Sequence, residues 1–269
     1  MAERILLFIP MYNCAAQIPR VIRQITPKYQ RLLAEVLVVD NRSTDDGQAA
    51  AIAALRELEG VRTRLVLNDE NYGLGGSHKV AFLHALEQGF DYLVVLHGDD
   101  QGQFGDIAPY LEAGDHRSVD ALLGARFMRG SRLVGYSAFR AAGNRVFNAL
   151  YSAVAGKRLF DLGSGLNLYR VAKLADRWWL RNADGLTFNY HMILRSVAKG
   201  WRNRFFPLSW READQVSNVK LVRQSAQVAS LPLAYLLRRG AYLKRDYSNR
   251  PDGRYTCRTI HDSSSATGA

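Results

Sequence analysis

Asp91–Gln103 reads DYLVVLHGDDQGQ, an apolar run that stops abruptly at a histidine, two adjacent aspartates and two glutamines. A leucine- and valine-rich run without polar alternation is the signature of a strand buried on both faces, and such strands belong to parallel sheets covered by helices. In an open sheet of that kind, ligands collect outside the carboxyl ends of the strands. The polar groups from His97 to Gln101 are therefore expected on a working rim.

The flanking sequence repeats the pattern. RILLFIP, EVLVVD and TRLVLN read as three further buried strands, and VDALLGARF as a fifth strand candidate after DYLVVLHG. Between them, Ile18, Val21, Ile22 and Ile25 fall on one face of a helix, NRSTDDG is a turn before an alanine-rich helix through about Leu58, and NYGLGG is a glycine-rich loop before a helix from Ser77 to Gln88. The alternation predicts an α/β fold: a Rossmann-like, mostly parallel sheet covered by helices. Pro10–Asn13, Asp40–Ser43, Asn68–Gly76 and His97–Gln101 all follow strand ends and are expected to converge. Farther on come a long helix around Ala138 to Val154, the segment FDLGSGLNLYR, a helix through RVAKLADRWWL, and a basic segment. Residues 1–220 are expected as the main domain, 221–248 as a helical, basic, amphipathic extension, and 249–269, NRPDGRYTCRTIHDSSSATGA, as a mobile tail. There are no internal repeats.

Composition narrows the class. With 269 residues, 48% hydrophobic and 23% charged, the chain can bury a full core. Its 2 cysteines, Cys14 and Cys257, lie far apart without metal-ligand spacing, which argues against a disulfide framework or zinc site and for a reducing, cytoplasmic setting. The N-terminal MAERILLFIPMY is read as a strand rather than a signal peptide. No stretch approaches the roughly eighteen apolar residues that a membrane span requires. The formal charge of +11 calls for an anionic partner or a solvated basic surface; much of it lies late, at Arg202, Arg204, Arg211, Lys220, Arg223, Arg238, Arg239, Lys244 and Arg245. Nucleic acid is not expected, because basic and aromatic residues are not interleaved as in single-strand binders.

Aspartates at strand ends, such as Asp40 and Asp99, suit ribose recognition or a divalent cation that carries a diphosphate. The plainer reading is helix capping, which is favoured for Asp45 and Asp46. His97, Asp99 and Gln101 stand two apart and face one way in an extended chain, which strengthens the ligand reading there. NYGLGG lacks the full dinucleotide-binding spacing, and no phosphate loop or nucleophile elbow is present.

Taken together, the motifs resemble GT-A glycosyltransferases of family 2, and within them the dolichyl- or polyprenyl-phosphate sugar synthases. IPMYN resembles the family's opening P-x-Y-N, VLVVDNRSTDDG its V-V-D-D-x-S-x-D-G, and NYGLGG its glycine-rich loop. HGDDQ lies at its D-A-D-L-Q, LLGARF at its G-S-R, and FRAAGNRVFN and DLGSGLNLYR at its acceptor-side motifs. The resemblance implies inverting transfer of a sugar from a nucleotide-diphosphate sugar to a polyprenyl phosphate, helped by Mn²⁺ or Mg²⁺. It implies that Pro10, Tyr12, Asn13, Asp40, Gly75, Gly76 and Asp99 contact the nucleotide sugar. His97, Asp99 and Gln101 are implied at the metal, and Arg126, Arg140 and Arg202 on phosphates beside Asp99.

Three positions depart from the family pattern: Cys14 replaces a glutamate, Asn41 an aspartate, and His97 the first aspartate of D-x-D. Loss of carboxylates is expected to weaken metal affinity, and an imidazole suits Mn²⁺ better than Mg²⁺. A hydroxyl acceptor needs a general base, whereas a phosphate is already anionic. DGLTFNYHMILRSVAKGWR offers Asn189 and His191 but only Asp184 nearby, which favours a phosphate acceptor, with Asp184 or Asp161 as the remaining candidate bases. SLPLAYLLRRGAYLKR is expected either as a core helix or as an interfacial one, peripheral on the cytoplasmic face of an anionic membrane. Two other classes stay open: a soluble family 2 enzyme acting on a hydroxyl, and a non-catalytic nucleotide-sugar binder.

Overall fold

The computed structural model describes residues 3–212, 221–250 and 252–264. In chain order the strands and helices are β1 (Ile5–Met11), α1 (Ile18–Arg23), α2 (Pro27–Gln30), β2 (Glu35–Asp40), α3 (Gly47–Leu55), β3 (Arg62–Asn68), α4 (Gly73–Glu87), β4 (Tyr92–Leu96), α5 (Ala108–Glu112) and β5 (Ala121–Ala125). They continue with β6 (Arg132–Val134), α6 (Ala138–Ala155), β7 (Leu166–Arg170), α7 (Phe188–Ala198), β8 (Asn203–Pro207), β9 (Ser209–Arg211), α8 (Leu221–Leu237), α9 (Arg239–Lys244) and β10 (Cys257–Asp262).

One sheet of 8 strands runs in the order β10-β3-β2-β1-β4-β7-β5-β8, and β6 pairs β9 in a separate ribbon. β1 is parallel to β2 on one side and to β4 on the other, so the strand order reverses between them. The residues leaving β1 and β4 therefore flank the crevice where such sheets bind ligands. Alternation along β1 builds both cores: Leu6 and Phe8 join one cluster, while Ile5, Leu7, Ile9 and Met11 point to the opposite face and join the other. Ile18, Val21, Ile22 and Ile25 all enter the second cluster, as their spacing predicts. Each such side chain, fully buried, contributes about 1.5–3 kcal/mol.

Three segments differ from the sequence reading, and FDLGSGLNLYR, for which no element was expected, takes up a fourth place in the fold. The expected loop NYGLGG supplies the first turn of α4, which starts at Gly73 with φ 73°. FDLGSGLNLYR contributes β7, which runs antiparallel to β4 and β5 and separates them. The expected helix through RVAKLADRWWL is two single 3₁₀ turns, Val171–Leu174 and Trp178–Arg181, because burying Trp179 in the first core takes precedence over a continuous helical face. Finally, the expected mobile tail supplies β10, which pairs antiparallel with β3. It covers an otherwise open sheet edge, and Asp262 there pairs with Arg62 at 2.9 Å and Arg64 at 2.8 Å.

In α8, Val228, Leu231 and Tyr235 are buried while Leu233, Leu236 and Leu237 are exposed. α8 packs on α6, and Tyr151 Oη donates to the Val228 carbonyl at 2.7 Å. The domain boundary expected at residue 220, and Lys220 itself, lie outside the described residues, as does the end of the tail at 265–269.

Candidate active site

The end of β4 is fixed from both sides. His97 N donates to Gly165 O at 2.9 Å and Gly98 N to Pro10 O at 3.1 Å. Asp100 adopts φ 59°, a left-handed conformation that aspartate tolerates better than most residues. Its buried carboxylate accepts from Arg20 Nε at 2.7 Å, Arg211 Nη2 at 3.2 Å and Gln24 Nε2 at 3.3 Å. The two adjacent aspartates thus have different jobs: Asp100 locks the turn, and Asp99 is presented to the rim.

Asp99 stands where two cavities meet. The larger, 350 Å³, lies between Pro10, Tyr12 and Asn41 on one wall and Asn71, Leu74 and Ser77 on the other, with His97, Gly98 and Asp99 at its floor. The smaller, 180 Å³, shares Leu74, His97, Asp99 and Leu186 and is completed by Gln101, Arg126, Arg140, Tyr190, Trp210 and Glu212. Burial pushes the Asp99 carboxyl up to about 6, against a hydrogen bond from Gln101 N at 3.3 Å that lowers it. A carboxylate so disfavoured gains most when a cation joins it.

His97 is neutral, since burial, with Arg126 nearby, depresses its pKa to about 4. Its Nε2 is buried without a hydrogen-bond partner among the described residues. Gly165 makes room for the ring: a Cβ there would lie 2.7 Å from His97 Cγ. Cys14 lines the larger cavity as a thiol, because burial pushes its pKa up to about 12. The Asn41 amide bridges Asn68, Asn71 and Tyr72 N at 3.0, 2.8 and 2.8 Å, so this position holds the loop before α4.

The arginines of the smaller cavity are both matched. Arg126 Nε and Nη2 each donate to Asp161 at 2.8 Å, and Asp161 also accepts from the backbone of Arg126, Leu162 and Gly163. Burial opposes both charges, yet the pair keeps Arg126 above and Asp161 below their ordinary pKa values. Arg140 Nη1 donates to Glu212 Oε2 at 2.7 Å.

Residues 7–178 match the family model described as Glycosyl transferase family 2. The chain belongs to glycosyl transferase family 2. It is 30% identical over 172 residues to undecaprenyl-phosphate 4-deoxy-4-formamido-L-arabinose transferase of Sodalis glossinidius, covering 62% of this chain and 49% of that protein. The counterpart from Salmonella choleraesuis is 27% identical over 170 residues, with the same coverage. The chain spans about half the length of the curated relatives it matches. Among solved structures, glucosyl-3-phosphoglycerate synthase from Mycobacterium tuberculosis, in complex with Mn²⁺, UDP and phosphoglyceric acid, aligns with a TM-score of 0.63 at 17% identity, covering 97% of this chain and 89% of that one. The shared fold is GT-A.

In this family 2 domain, Pro10, Tyr12, His97 and Asp99 line the larger cavity, and Gln101, Arg126 and Arg140 join His97 and Asp99 in the smaller one. Other expected site residues are placed elsewhere. Asp40 is fully buried, its oxygens taken by Ser43 N, Ser43 Oγ and Gln48 Nε2 at 2.9, 2.6 and 2.7 Å. Asn13 lies outside both linings, and its side chain accepts from Thr44 N at 2.8 Å. Gly75 and Gly76 are packing positions, where a Cβ would lie 2.4 Å from Ala183 O and 2.3 Å from Tyr72 Cβ. Arg202 is paired with Asp120, at 3.5 Å through its side chain and 2.9 Å through its N–H, away from both cavities. The candidate bases Asp161 and Asp184 are likewise committed, to Arg126 and Lys79. Trp210 and Glu212 escaped the sequence reading, because their position depends on the β6–β9 ribbon and no local spacing announces it.

Proposed function

We propose that this chain is an inverting glycosyltransferase that moves a sugar from a nucleotide-diphosphate sugar to a polyprenyl phosphate. The observation that carries the reading is the pair of cavities meeting at Asp99, the smaller one holding the guanidinium groups of Arg126 and Arg140. The curated relatives, whose names specify undecaprenyl phosphate, support the same acceptor class.

The donor's nucleoside fits the larger cavity, beside Tyr12, Asn41 and Asn71, and its diphosphate reaches Asp99. Among the described residues no group of 3 or more His, Cys, Asp or Glu is arranged to hold a metal ion. The residues present therefore fit a cation that takes most of its ligands from diphosphate and water, with Asp99, Gln101 and the unpartnered His97 Nε2 as the protein's share. An imidazole in that set favours Mn²⁺ over Mg²⁺. Such an ion supplies neutralisation of the charge that gathers on the departing diphosphate.

From the smaller cavity an acceptor phosphate oxygen attacks the anomeric carbon on the face opposite the diphosphate. The new carbon–oxygen bond forms as the old one breaks, the electron pair leaves with the nucleoside diphosphate, and the configuration inverts. No general base is required, because the phosphate is already ionised. Arg126 and Arg140 orient it.

The lipid part of the acceptor has a matching surface. Phe139, Val146 and Leu150 on α6 and Leu233, Leu236 and Leu237 on α8 are exposed, with Arg238 and Arg239 following. Apolar residues beside basic ones suit peripheral binding to an anionic membrane, on its cytoplasmic face in our reading. Among the described residues no helix is long and apolar enough to cross a membrane.

A second reading, transfer to a hydroxyl, draws on Glu212, a carboxylate in the acceptor cavity. The deciding experiment is incubation with a panel of nucleotide sugars, Mn²⁺ or Mg²⁺ and a short-chain polyprenyl phosphate, with mass detection of lipid product and an Asp99→Ala control. A sugar-phosphate lipid absent from the control is expected. Nucleotide release with sugar acceptors but never with the lipid overturns the phosphate reading, and no turnover with any donor points to a binder.

A further inference from the structure

The two ion pairs of the acceptor cavity are built differently. Arg126–Asp161 is a two-point contact with side chains 11% and 2% exposed, and three backbone N–H groups hold the same carboxylate. Exchanging that partner would strand a buried charge, so the pair is a fixed part of the wall. Arg140–Glu212 is a single contact between side chains 47% and 20% exposed. Solvent-reachable pairs of this kind are weak enough for a competing anion to displace.

Glu212 is held at its backbone, and its side chain has Arg140 as its ion-pair partner. Its N–H donates to Val134 O at 2.9 Å, and Gly135 opposite has φ 75°, with room for no Cβ: one would lie 2.4 Å from Glu212 O. Only the carboxylate reaches across to Arg140, in the first turn of α6. Both residues line the cavity, so the guanidinium is already turned towards an anion before any ligand arrives.

We propose that Glu212 is a resident anion that the acceptor must displace from Arg140, and so a residue that sets acceptor specificity. A phosphate, with more charge and three acceptor oxygens, outcompetes a side-chain carboxylate for one guanidinium, whereas a neutral hydroxyl or a ligand carboxylate gains nothing by the exchange. The inference rests on the phosphate-acceptor reading above.

The test is the steady-state comparison of wild type, Glu212→Gln, Arg140→Gln and the double variant with a short-chain polyprenyl phosphate. Glu212→Gln is expected to lower the acceptor KM by roughly two- to fivefold while the donor KM stays put. Arg140→Gln is expected to raise the acceptor KM, and adding Glu212→Gln to it to change nothing further, since Glu212 acts through Arg140. An acceptor KM unchanged or raised in Glu212→Gln, with lipid product still formed, overturns this inference alone. So does a gain from Glu212→Gln that persists without Arg140. A fall in kcat of tenfold or more at constant acceptor KM puts Glu212 in the chemical step instead of in acceptor selection and overturns this inference, while the sugar-phosphate lipid still formed leaves the acceptor reading standing. Absence of lipid product from wild type overturns the acceptor reading first.

Discussion

Lys79→Met should destabilise the fold by about 3–5 kcal/mol, the usual consequence of removing one partner from a buried ion pair. Lys79 is wholly buried, and its Nζ donates to Asp184 Oδ1 at 2.6 Å, Asn182 O at 2.7 Å and Tyr255 Oη at 2.9 Å. Methionine fills much the same volume, so the cost comes from electrostatics: the Asp184 carboxylate is left inside with Tyr255 Oη at 2.6 Å and Asn249 N at 2.8 Å as its donors. Asp184 also supports α4, since its backbone carbonyl accepts from Gly76 N at 3.1 Å. The network therefore ties α4, the segment before α7 and the chain entering β10 to each other. Urea unfolding followed by tryptophan fluorescence measures the loss. Adding Asp184→Asn should recover part of it, because the amide oxygen still accepts while no charge is stranded. A loss below about 1 kcal/mol, or no recovery in the double variant, refutes the reasoning. Leu186 and Asn189, just beyond Asp184, line the smaller cavity, so catalysis should loosen along with the fold.

Two further outcomes follow from particular atoms. Gly165→Ala puts a methyl 2.7 Å from His97 Cγ and 2.9 Å from its Cβ and must move the imidazole; it should cost about 1–3 kcal/mol of stability and lower the turnover of the folded enzyme by about 10²-fold, and full activity would mean that His97 has no part at the diphosphate. His191 is buried and stacked against Tyr242, and burial depresses its pKa to about 3. The unfolded chain takes up that proton near pH 6.5, so the stability from neutral His191 is complete above about pH 6.5 and is lost on acidification, by about 1.4 kcal/mol per pH unit, until about pH 3. Between pH 6.5 and 5 wild type should therefore lose about 2 kcal/mol more than His191→Gln in urea titrations, and parallel curves would refute it.

The sheet was legible because its strands are buried on both faces, so EVLVVD and DYLVVLHG announce themselves without any partner in view; Glu35–Asp40 and Tyr92–Leu96 are buried throughout. The convergence of Pro10, Tyr12, His97 and Asp99 followed from strand direction alone. What sequence could not supply was the partner of each polar group. Asp40 has the position of a ligand and is consumed by Ser43 and Gln48, three and eight residues on. Gly75 and Gly76 have the place of nucleotide-sugar contacts in the family pattern and serve close packing, Gly75 against a segment more than a hundred residues away. β10 was missed for the same reason: CRTIHD has no apolar alternation, and its place comes from the open edge of β3 and from Arg62 and Arg64 waiting for Asp262.

The distribution of charge connects the site to the surface. At the junction of the cavities Cys14, Asn41 and His97 are neutral, Asp99 is a single carboxylate, and Arg126 and Arg140 each face a carboxylate of their own. Little net positive field is left there, so on the proposed function the affinity for two anionic substrates would come from exchange at Arg140, from a cation that arrives with the diphosphate, and from parts of the acceptor far from the reacting bond. The unbalanced charge of the +11 chain lies elsewhere. Arg238, Arg239, Lys244 and Arg245 make no ion pair among the described residues, and two of them rest on aromatic rings, Arg239 over Tyr235 at 5.3 Å and Arg245 over Tyr247 at 5.1 Å. They follow the exposed leucines of α8. On the function proposed above, a chain arranged in this way would concentrate a lipid acceptor at the surface first, by apolar contact and long-range attraction, and let the nearly neutral cavity choose among what is brought to it. Raising the salt concentration should therefore weaken vesicle binding much more than it weakens turnover with a short, water-soluble acceptor.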